Sequence, residues 1–188
     1  MVLVQETWTA VVQRESRFIS SFWMEKSRHQ GIGNGLEIWC QGAWAHKLAV
    51  LTDQPYALLV LVRSVRGVGI IGTVHMAQRA EGPNFEAQMT LLMSVMRAAP
   101  HDWAMIGGDW NRDIRRHVAA QTFIFNMGAW VAFMEGQMRL PKDFVILKGI
   151  TGQSVGQWLD PIGDHPVVIA KGVASVQAGS TRSASRPN

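Results

Sequence analysis

The sequence predicts a single-domain protein of the α/β (α+β) class, and three observations lead to that prediction. The chain has 188 residues, 47% of them hydrophobic and 17% charged, so it can bury a core and suits one domain. Residues 36–77 have the pattern of strand after strand. Residues 84–109 then have the pattern of a helix followed by a buried strand, and the order strand, helix, strand is typical of a parallel pair.

The first element is a strand and the second is a helix. The run "VLVQE" is apolar and ends at once in polar residues, which predicts a strand that starts at residue 2. Residues 9–28 place apolar side chains at helical spacing with charges between them, which predicts a helix. The glycines of "GIGNGLEIWC" then predict a turn before the next apolar run.

The middle of the chain predicts four strands, a helix and a fifth strand. The four strands are "LEIWC", "KLAVL", "YALLVLVRSV" and "GVGIIGTVHM", which we expect to be neighbours in a meander. Residues 84–98 form the helix, because Asn84 can cap its start and Pro100 follows its end. The run "WAMIGGD" predicts a buried strand that delivers Asp109 to a sheet edge, where α/β folds bind ligands.

The last third of the chain predicts three further strands and a tail. The strands are "TFIFN", "DFVILKG" and "PVVIAKG". The end of the chain is small, polar and basic, which predicts disorder. We therefore expect a folded domain over residues 1–174 and a disordered basic tail over residues 175–188.

Charge and cysteine content limit the function classes. Eighteen Lys and Arg against fourteen Asp and Glu give a formal charge of +4, which favours a polyanionic partner such as nucleic acid. Cys40 has no second cysteine with which to form an internal disulfide or a zinc knuckle. The chain has no signal-peptide core and no 18-residue apolar window, so we expect no membrane span, and an intracellular location (nucleus or cytoplasm) is slightly favoured.

Polar residues recur where predicted strands end. Taken singly, each has a simpler structural explanation, since an aspartate after two glycines is usually a turn former and a lone histidine is usually a hydrogen-bonded structural residue. Their recurrence matters more, because one sheet edge could bring them together. They are Glu6 after "VLVQ", His75 in "GTVHMAQ", Asp109 and Asn111 after "WAMIGG", and Asp164 with His165 before "PVVIA".

Such a set suits phosphodiester hydrolysis. Oxygen ligands without cysteine favour Mg²⁺ or Mn²⁺, which bind one or two carboxylates together with substrate phosphate oxygens. The reaction also needs a base to orient water and donors to stabilise the charge that develops on the phosphoryl oxygens. Carboxylate, imidazole and amide groups can supply all of these.

Five motifs in order resemble the endonuclease/exonuclease/phosphatase superfamily, the DNase I-like and apurinic-endonuclease-like phosphoesterases. They are "VLVQET", "TVHM", "GGDWN", "DFVIL" and "GDHPVV", and they span residues 2 to about 170. The most specific pair is "GGDWN" and "GDHPVV", about 55 residues apart. The resemblance implies a four-layer α/β sandwich of two mixed sheets flanked by helices.

The resemblance also implies a metal site. Glu6 would be a metal-binding carboxylate, and Asp164 would complete the environment of the metal and the water. Asp109 would lie near the attacking water and the Mg²⁺ or Mn²⁺ ion. Asn111 would donate a hydrogen bond to a phosphate oxygen.

Two histidines would act on the scissile phosphate. His75 would sit beside it as an electrophile or proton donor, and His165 would contact it or activate water. Asp143 would hydrogen-bond the imidazole of His165 and fix its tautomer, although it could equally be a plain surface acid. The family usually pairs the first histidine with another acid, for which Glu37 and Asp53 are the candidates.

Three residues near this site are candidates for substrate binding. Trp110 could stack on a base, whereas the other tryptophans lie mostly in apolar runs and suit core packing. Arg79 and Arg112 could contact backbone phosphates, although a solvated surface explains them almost as well.

One departure leaves the function open. The family's first strand, which carries an asparagine, has no counterpart before Glu6, so we expect an N-terminally truncated version of the fold. The hypothesis favoured by the motifs is a Mg²⁺-dependent phosphodiesterase, an endonuclease that cuts DNA or RNA. The alternatives are an inactive or fragmentary domain that binds nucleic acid or a protein, and an enzyme for phosphoinositides or other small phosphate esters.

Overall fold

The computed structural model describes residues 2–5, 15–19, 22–26, 35–77, 82–132, 142–158 and 167–175. A short 3₁₀ helix, Gly42–Lys47, joins two of the strands. The α-helices are α1 (Gly82–Ala98) and α2 (Val118–Met127). The strands are β1 (Val2–Gln5), β2 (Glu15–Ile19), β3 (Phe22–Lys26), β4 (Leu36–Gln41), β5 (Leu48–Gln54), β6 (Ala57–Ser64), β7 (Gly67–His75), β8 (Trp103–Asp109), β9 (Ala129–Ala132), β10 (Asp143–Lys148), β11 (Ile150–Trp158) and β12 (Val167–Ala174).

A six-stranded mixed sheet forms the centre of the fold. Its order is β5-β6-β7-β8-β10-β9, in which β5, β6 and β7 form an antiparallel meander. Strands β7 and β8 are parallel, with α1 between them in the chain. The predicted strand, helix, strand unit is therefore confirmed, and the carboxyl ends of β7 and β8 lie at the same sheet edge.

Helix α1 packs one face on this sheet. Phe85, Met89, Leu92 and Met96 are buried at the three- and four-residue spacing of a helix, while the residues between them are mostly exposed. The helix begins two residues before the predicted start at Asn84. Its buried face joins the core that the strands β6, β7 and β8 present on the same side.

The second sheet contains the first correction to the sequence prediction. Its order is β1-β4-β3-β2, with every described pair antiparallel, so the helix predicted over residues 9–28 is wrong. This stretch is rich in aromatic and branched side chains, which suit a pleated sheet, and β4 supplies a strand partner from later in the chain. Strand β4 belongs to this sheet rather than to the expected meander.

Helix α2 contains the second correction. The strand predicted at "TFIFN" lies inside a helix, where Ala120, Phe123 and Met127 are buried on one face. Gly128 ends this helix with a left-handed backbone (φ 60°), and its N–H donates to carbonyls of the last turn. Two strands, β9 and β11, were not predicted; β11 pairs with β12 in a separate two-stranded sheet.

The two faces of the six-stranded sheet carry two cores. One core lies against α1 and α2, and the other contains Leu36 and Ile38 of β4 with Leu3 of β1 packed against it. Helices, six-stranded sheet and four-stranded sheet thus form three successive layers among the described residues, where four layers were predicted, and the predicted α+β class is confirmed. No helix in this described part of the chain is long and apolar enough to cross a membrane.

Candidate active site at the edge of the central sheet

His75, Asp109 and Asp143 lie side by side across three neighbouring strands. In the parallel pair, His75 of β7 is opposite Asp109 of β8, and in the adjacent antiparallel pair Asp109 is opposite Asp143 of β10. Because directly opposite residues point to the same face of a sheet, the three side chains share one face. That face is the one covered by the four-stranded sheet, since Val145 and Leu147 of β10 belong to the core between the sheets.

The carboxylate of Asp109 is held between its own loop and the imidazole. Its Oδ1 accepts a hydrogen bond of 2.7 Å from the backbone N–H of Asn111. Its Oδ2 lies 4.0 Å from Nε2 of His75, and the two side chains are only 7% and 11% exposed. The hydrogen bond from Asn111 therefore fixes the orientation of the Asp109 carboxylate, and Oδ2 faces the imidazole of His75.

Asn111 ties the loop after β8 to the end of β7. Its Nδ2 donates to the carbonyl of Met76 at 2.8 Å, and its backbone adopts a left-handed φ of 51°, which asparagine tolerates better than most residues. A carboxamide carries two N–H donors. The predicted donation of Asn111 to a phosphate oxygen stays a prediction.

The two glycines before Asp109 allow close approach on both sides of β8. Gly108 has a φ of +146°, and a Cβ at this position would lie 2.0 Å from the carbonyl oxygen of Val74. A Cβ on Gly107 would lie 3.1 Å from Leu3 of the facing sheet. The glycine pair therefore lets β7 and β1 reach the strand that carries Asp109.

Trp110 is a core residue, and the prediction that it stacks on a base is wrong. Its side chain is 0% exposed and belongs to the core beneath the helices. Its indole N–H donates to the carbonyl of Phe144 at 3.1 Å, which satisfies its polar atom inside the protein. Neither ring face is open to a nucleobase.

Arg112 lies on the helix side of the same edge. Its guanidinium carbon is 4.9 Å from the centre of the Phe85 ring, and the ring of His117 makes an edge contact of 4.7 Å with that phenylalanine. The sequence analysis did not select His117. The sequence feature that could have indicated His117 is its position directly before a helix, where serine, threonine, asparagine or aspartate is more usual.

Asp53 and Glu37 are the candidate acids for His75. They belong to different sheets, since Asp53 lies on β5 of the six-stranded sheet and Glu37 on β4 of the four-stranded sheet. Asp53 is buried near the end of β5 and is opposite Leu58, which in turn is opposite Thr73. Its side chain therefore points to the same sheet face as His75, two residues beyond Thr73. Glu37 lies between Leu36 and Ile38, which face the core between the sheets, so its side chain points to the opposite face of β4. There it accepts a hydrogen bond from Trp39. Asp53 is therefore the better placed acid for His75.

Four of the predicted site residues lie outside the described residues: Glu6, Arg79, Asp164 and His165. Their roles, and the action of Asp143 on His165, stay predictions. Among the described side chains no group of three His, Cys, Asp or Glu residues could hold a metal ion. The carboxylate of Asp109 is the kind of oxygen ligand that Mg²⁺ and Mn²⁺ take, and metal binding at this edge stays a prediction.

Comparison with known proteins identifies the fold. No family model and no curated protein matches the chain. The similar solved structures include three with TM-scores above 0.5. Truncated TDP2 of Caenorhabditis elegans has 15% identity and a TM-score of 0.57, covering 82% of this chain and 76% of that one. The endonuclease domain of TRAS1, a telomere-specific non-LTR retrotransposon, has 14% identity and a TM-score of 0.54, covering 81% and 78%.

The third is an endonuclease/exonuclease/phosphatase family protein of Bacteroides thetaiotaomicron, with 11% identity and a TM-score of 0.51, covering 83% of this chain and 72% of that one. The fold is therefore that of the DNase I-like endonuclease/exonuclease/phosphatase proteins, as the motif order implied. At identities of 11–15% this likeness shows the fold.

Proposed function

We propose that the chain is a metal-dependent phosphodiesterase that cuts nucleic acid internally. The observation that carries the proposal is the alignment of His75, Asp109 and Asp143 on one face of three neighbouring strands, at the carboxyl edge of a parallel pair. Open α/β sheets bind ligands at that edge, and two carboxylates beside an imidazole suit the hydrolysis of a phosphate ester.

Each described residue has a chemical task in this proposal. Asp109 orients the attacking water, since one of its oxygens is fixed by Asn111 and the other is turned towards His75. His75 donates a hydrogen bond or a proton to the phosphate, and Asn111 directs its remaining amide hydrogen to a phosphate oxygen. Hydrogen bonds with the backbone of Asn111 and Met76 already hold the Asp109 carboxylate and the Asn111 amide, so this part of the geometry exists before substrate arrives.

Glu6 and Asp164 would hold the metal ion, together with Asp109. A bound Mg²⁺ or Mn²⁺ would neutralise charge on the phosphoryl oxygens and lower the pKa of a bound water. Asp143 would orient His165, as carboxylates commonly do for a catalytic imidazole.

The charge distribution favours nucleic acid over a small ester. The net charge is +4, and Arg112 places positive charge directly after the active-site motif, whereas Arg115 and Arg116 are paired with Asp113. Positive charge next to a phosphate site suits the backbone of a nucleic-acid strand.

Plasmid nicking with and without Mg²⁺ tests the proposal. We expect Asp109→Asn and His165→Ala to lower the nicking rate by at least about 100-fold, because each removes a group that handles the water or the phosphate. Arg97→Gln removes a charge from the exposed last turn of α1, at the end of the helix away from Phe85, and should nick like the wild type.

The outcomes separate the competing functions. Undiminished nicking by both variants would overturn the proposal. Nucleic-acid binding without turnover, in protein of native stability, would instead favour the inactive binding domain. Turnover confined to phosphoinositides or other small esters would keep the chemistry and replace the substrate.

A further inference from the structure

A second cluster of donors lies beside the proposed active site. It consists of Arg112, His117 and the buried ring of Phe85, on which both of the other side chains pack. Arg112 directly follows Asn111 in the chain, and His117 comes immediately before α2. The cluster therefore shares the sheet edge with Asp109 but lies on the helix side of it.

Two nitrogen atoms in this cluster are buried without a hydrogen-bond partner among the described residues. They are Nε of Arg112 and Nδ1 of His117. A buried polar atom without a partner costs about 1–3 kcal/mol, and native proteins rarely keep one without a ligand, water or ion to satisfy it. Two such atoms on side chains that pack against the same ring indicate a site that a ligand completes.

The charge of Arg112 is not neutralised by the acid nearest to it in the chain. Asp113 instead accepts two hydrogen bonds from Arg115, at 2.8 and 2.9 Å, and lies 3.6 Å from Arg116. The hydrogen bond from Arg115 lowers the pKa of Asp113, as expected for a carboxylate committed to that partner. Among the residues that the structure describes, Arg112 forms no ion pair, so its positive charge can act on a ligand.

Arg112 and His117 also interact with each other electrostatically. Burial lowers the pKa of His117, and the positive charge of Arg112 lowers it further, so the field of the guanidinium reaches the imidazole. Glu86 on α1 opposes this effect only in part. A guanidinium is only a donor and a neutral imidazole can donate through Nδ1, so a ligand with acceptor oxygens satisfies both groups.

We propose that Arg112 and His117 bind a second, non-reacting phosphate of a nucleic-acid strand, adjacent to the phosphate that is cut. A guanidinium and an imidazole can both donate to phosphate oxygens, and the planar guanidinium suits phosphate geometry better than an ammonium group does. The preferred substrate then carries at least two phosphodiesters in series. This inference rests on the proposed function, because that function locates the phosphate that is cut.

The test measures binding rather than turnover. Fluorescence anisotropy with labelled single-stranded DNA, in EDTA, gives the affinity of wild type, Arg112→Gln, Arg112→Lys and Arg116→Gln. The matched control is Arg116, because its side chain is 84% exposed and its guanidinium is paired with Asp113. Thermal melting of each variant shows whether the stacking on Phe85 is needed for the fold.

We expect Arg112→Gln to weaken binding of an oligonucleotide about 10-fold, in the range of one lost charged hydrogen-bond pair. The plot of log affinity against log salt should become shallower by about 0.7, the value for one phosphate contact on a single strand. Arg112→Lys should recover the salt slope but not the full affinity, because lysine keeps the charge and loses the planar fork. Arg116→Gln should change neither quantity by more than about twofold.

A dinucleotide with one phosphate and a trinucleotide with two give a second comparison. Wild type should prefer the trinucleotide, and Arg112→Gln should lose most of that preference. Equal losses in Arg112→Gln and Arg116→Gln, or an unchanged trinucleotide preference, would overturn the inference even if plasmid nicking succeeds. Conversely, a failed nicking assay with the Arg112-dependent preference intact would remove the proposed catalysis and keep the phosphate site.

Discussion

Replacing Gly108 by alanine should break the junction between β7 and β8 from which the site is built. The new Cβ would lie 2.0 Å from the carbonyl oxygen of Val74 and 2.9 Å from its nitrogen, at a φ of +146°. Real Cβ atoms essentially never come within 3.0 Å of such an atom, so the backbone of Val74 must move by about 1 Å. A flexible side chain could move away from the new Cβ at a small energetic cost, but the backbone of a strand inside a sheet cannot.

The expected loss follows from two terms. Backbone strain at a conformation that L-residues rarely adopt costs about 1–3 kcal/mol, and overpacking in a closely packed interior costs a similar amount. We therefore expect Gly108→Ala to lower the free energy of unfolding by about 2–6 kcal/mol, a large part of the 5–15 kcal/mol typical of a domain. Since His75 directly follows Val74, a shift of about 1 Å should also lower the rate of any phosphoesterase reaction by about 100-fold.

The matched control is Gly128→Ala at the end of α2. Gly128 also has a positive φ, +60°, but a Cβ there meets nothing within 4 Å. Only the left-handed strain of about 1–2 kcal/mol should appear. Urea denaturation followed by fluorescence measures both variants. If the free energies of unfolding of Gly108→Ala and Gly128→Ala differ by less than about 0.5 kcal/mol, the close approach of Val74 does not constrain this strand.

Two further predictions concern stability away from the phosphate. Trp110→Phe should lower the free energy of unfolding by about 1–3 kcal/mol, because it leaves the carbonyl of Phe144 without its indole donor, and it should leave oligonucleotide affinity unchanged. A ten-fold affinity loss at native stability would restore the stacking role. Burial lowers the pKa of His101 below its ordinary value of 6.5, with Lys148 adding to the effect, so His101 contributes stability above about pH 6.5 that is lost as the pH falls towards its folded-state pKa. Urea midpoints at pH 7.5 and 5.5 should therefore fall less in His101→Gln than in wild type, and equal falls would contradict the assignment.

The local sequence pattern was sufficient to predict an element where the tertiary structure favours the same conformation as the local sequence. The helix over residues 84–98 combined a regular apolar face with end signals, and α1 confirms it. The run of strands before it and the strand ending at Asp109 were also predicted correctly. In each case the burial demanded by the fold agrees with the period of the sequence.

Local pattern failed where a partner distant in the chain decides the structure. Residues 9–28 fit a helical period, yet β2 and β3 within this stretch form an antiparallel pair, and β3 also pairs with β4. "TFIFN" suits a strand by composition, but Gly128 and the alanines before it favour a helix, and the sheet offers α2 a face on which to bury Phe123. Trp110 is next to the site in sequence and is nonetheless a core residue, because its side chain turns to the helix side of the sheet.

The sequence by itself determined the chemistry of the candidate site. It supplied a carboxylate and an amide two residues apart after a glycine pair, an imidazole on an earlier strand, and an acid at the start of a later one. Tertiary structure alone decided which of these groups meet. Strand register places His75, Asp109 and Asp143 on one face and Trp110 inside the core, and the loop after them brings Arg112 and His117 to one ring. The physical reason is that residue type follows from local chemistry, whereas facing and distance follow from backbone hydrogen bonds between segments far apart in the chain.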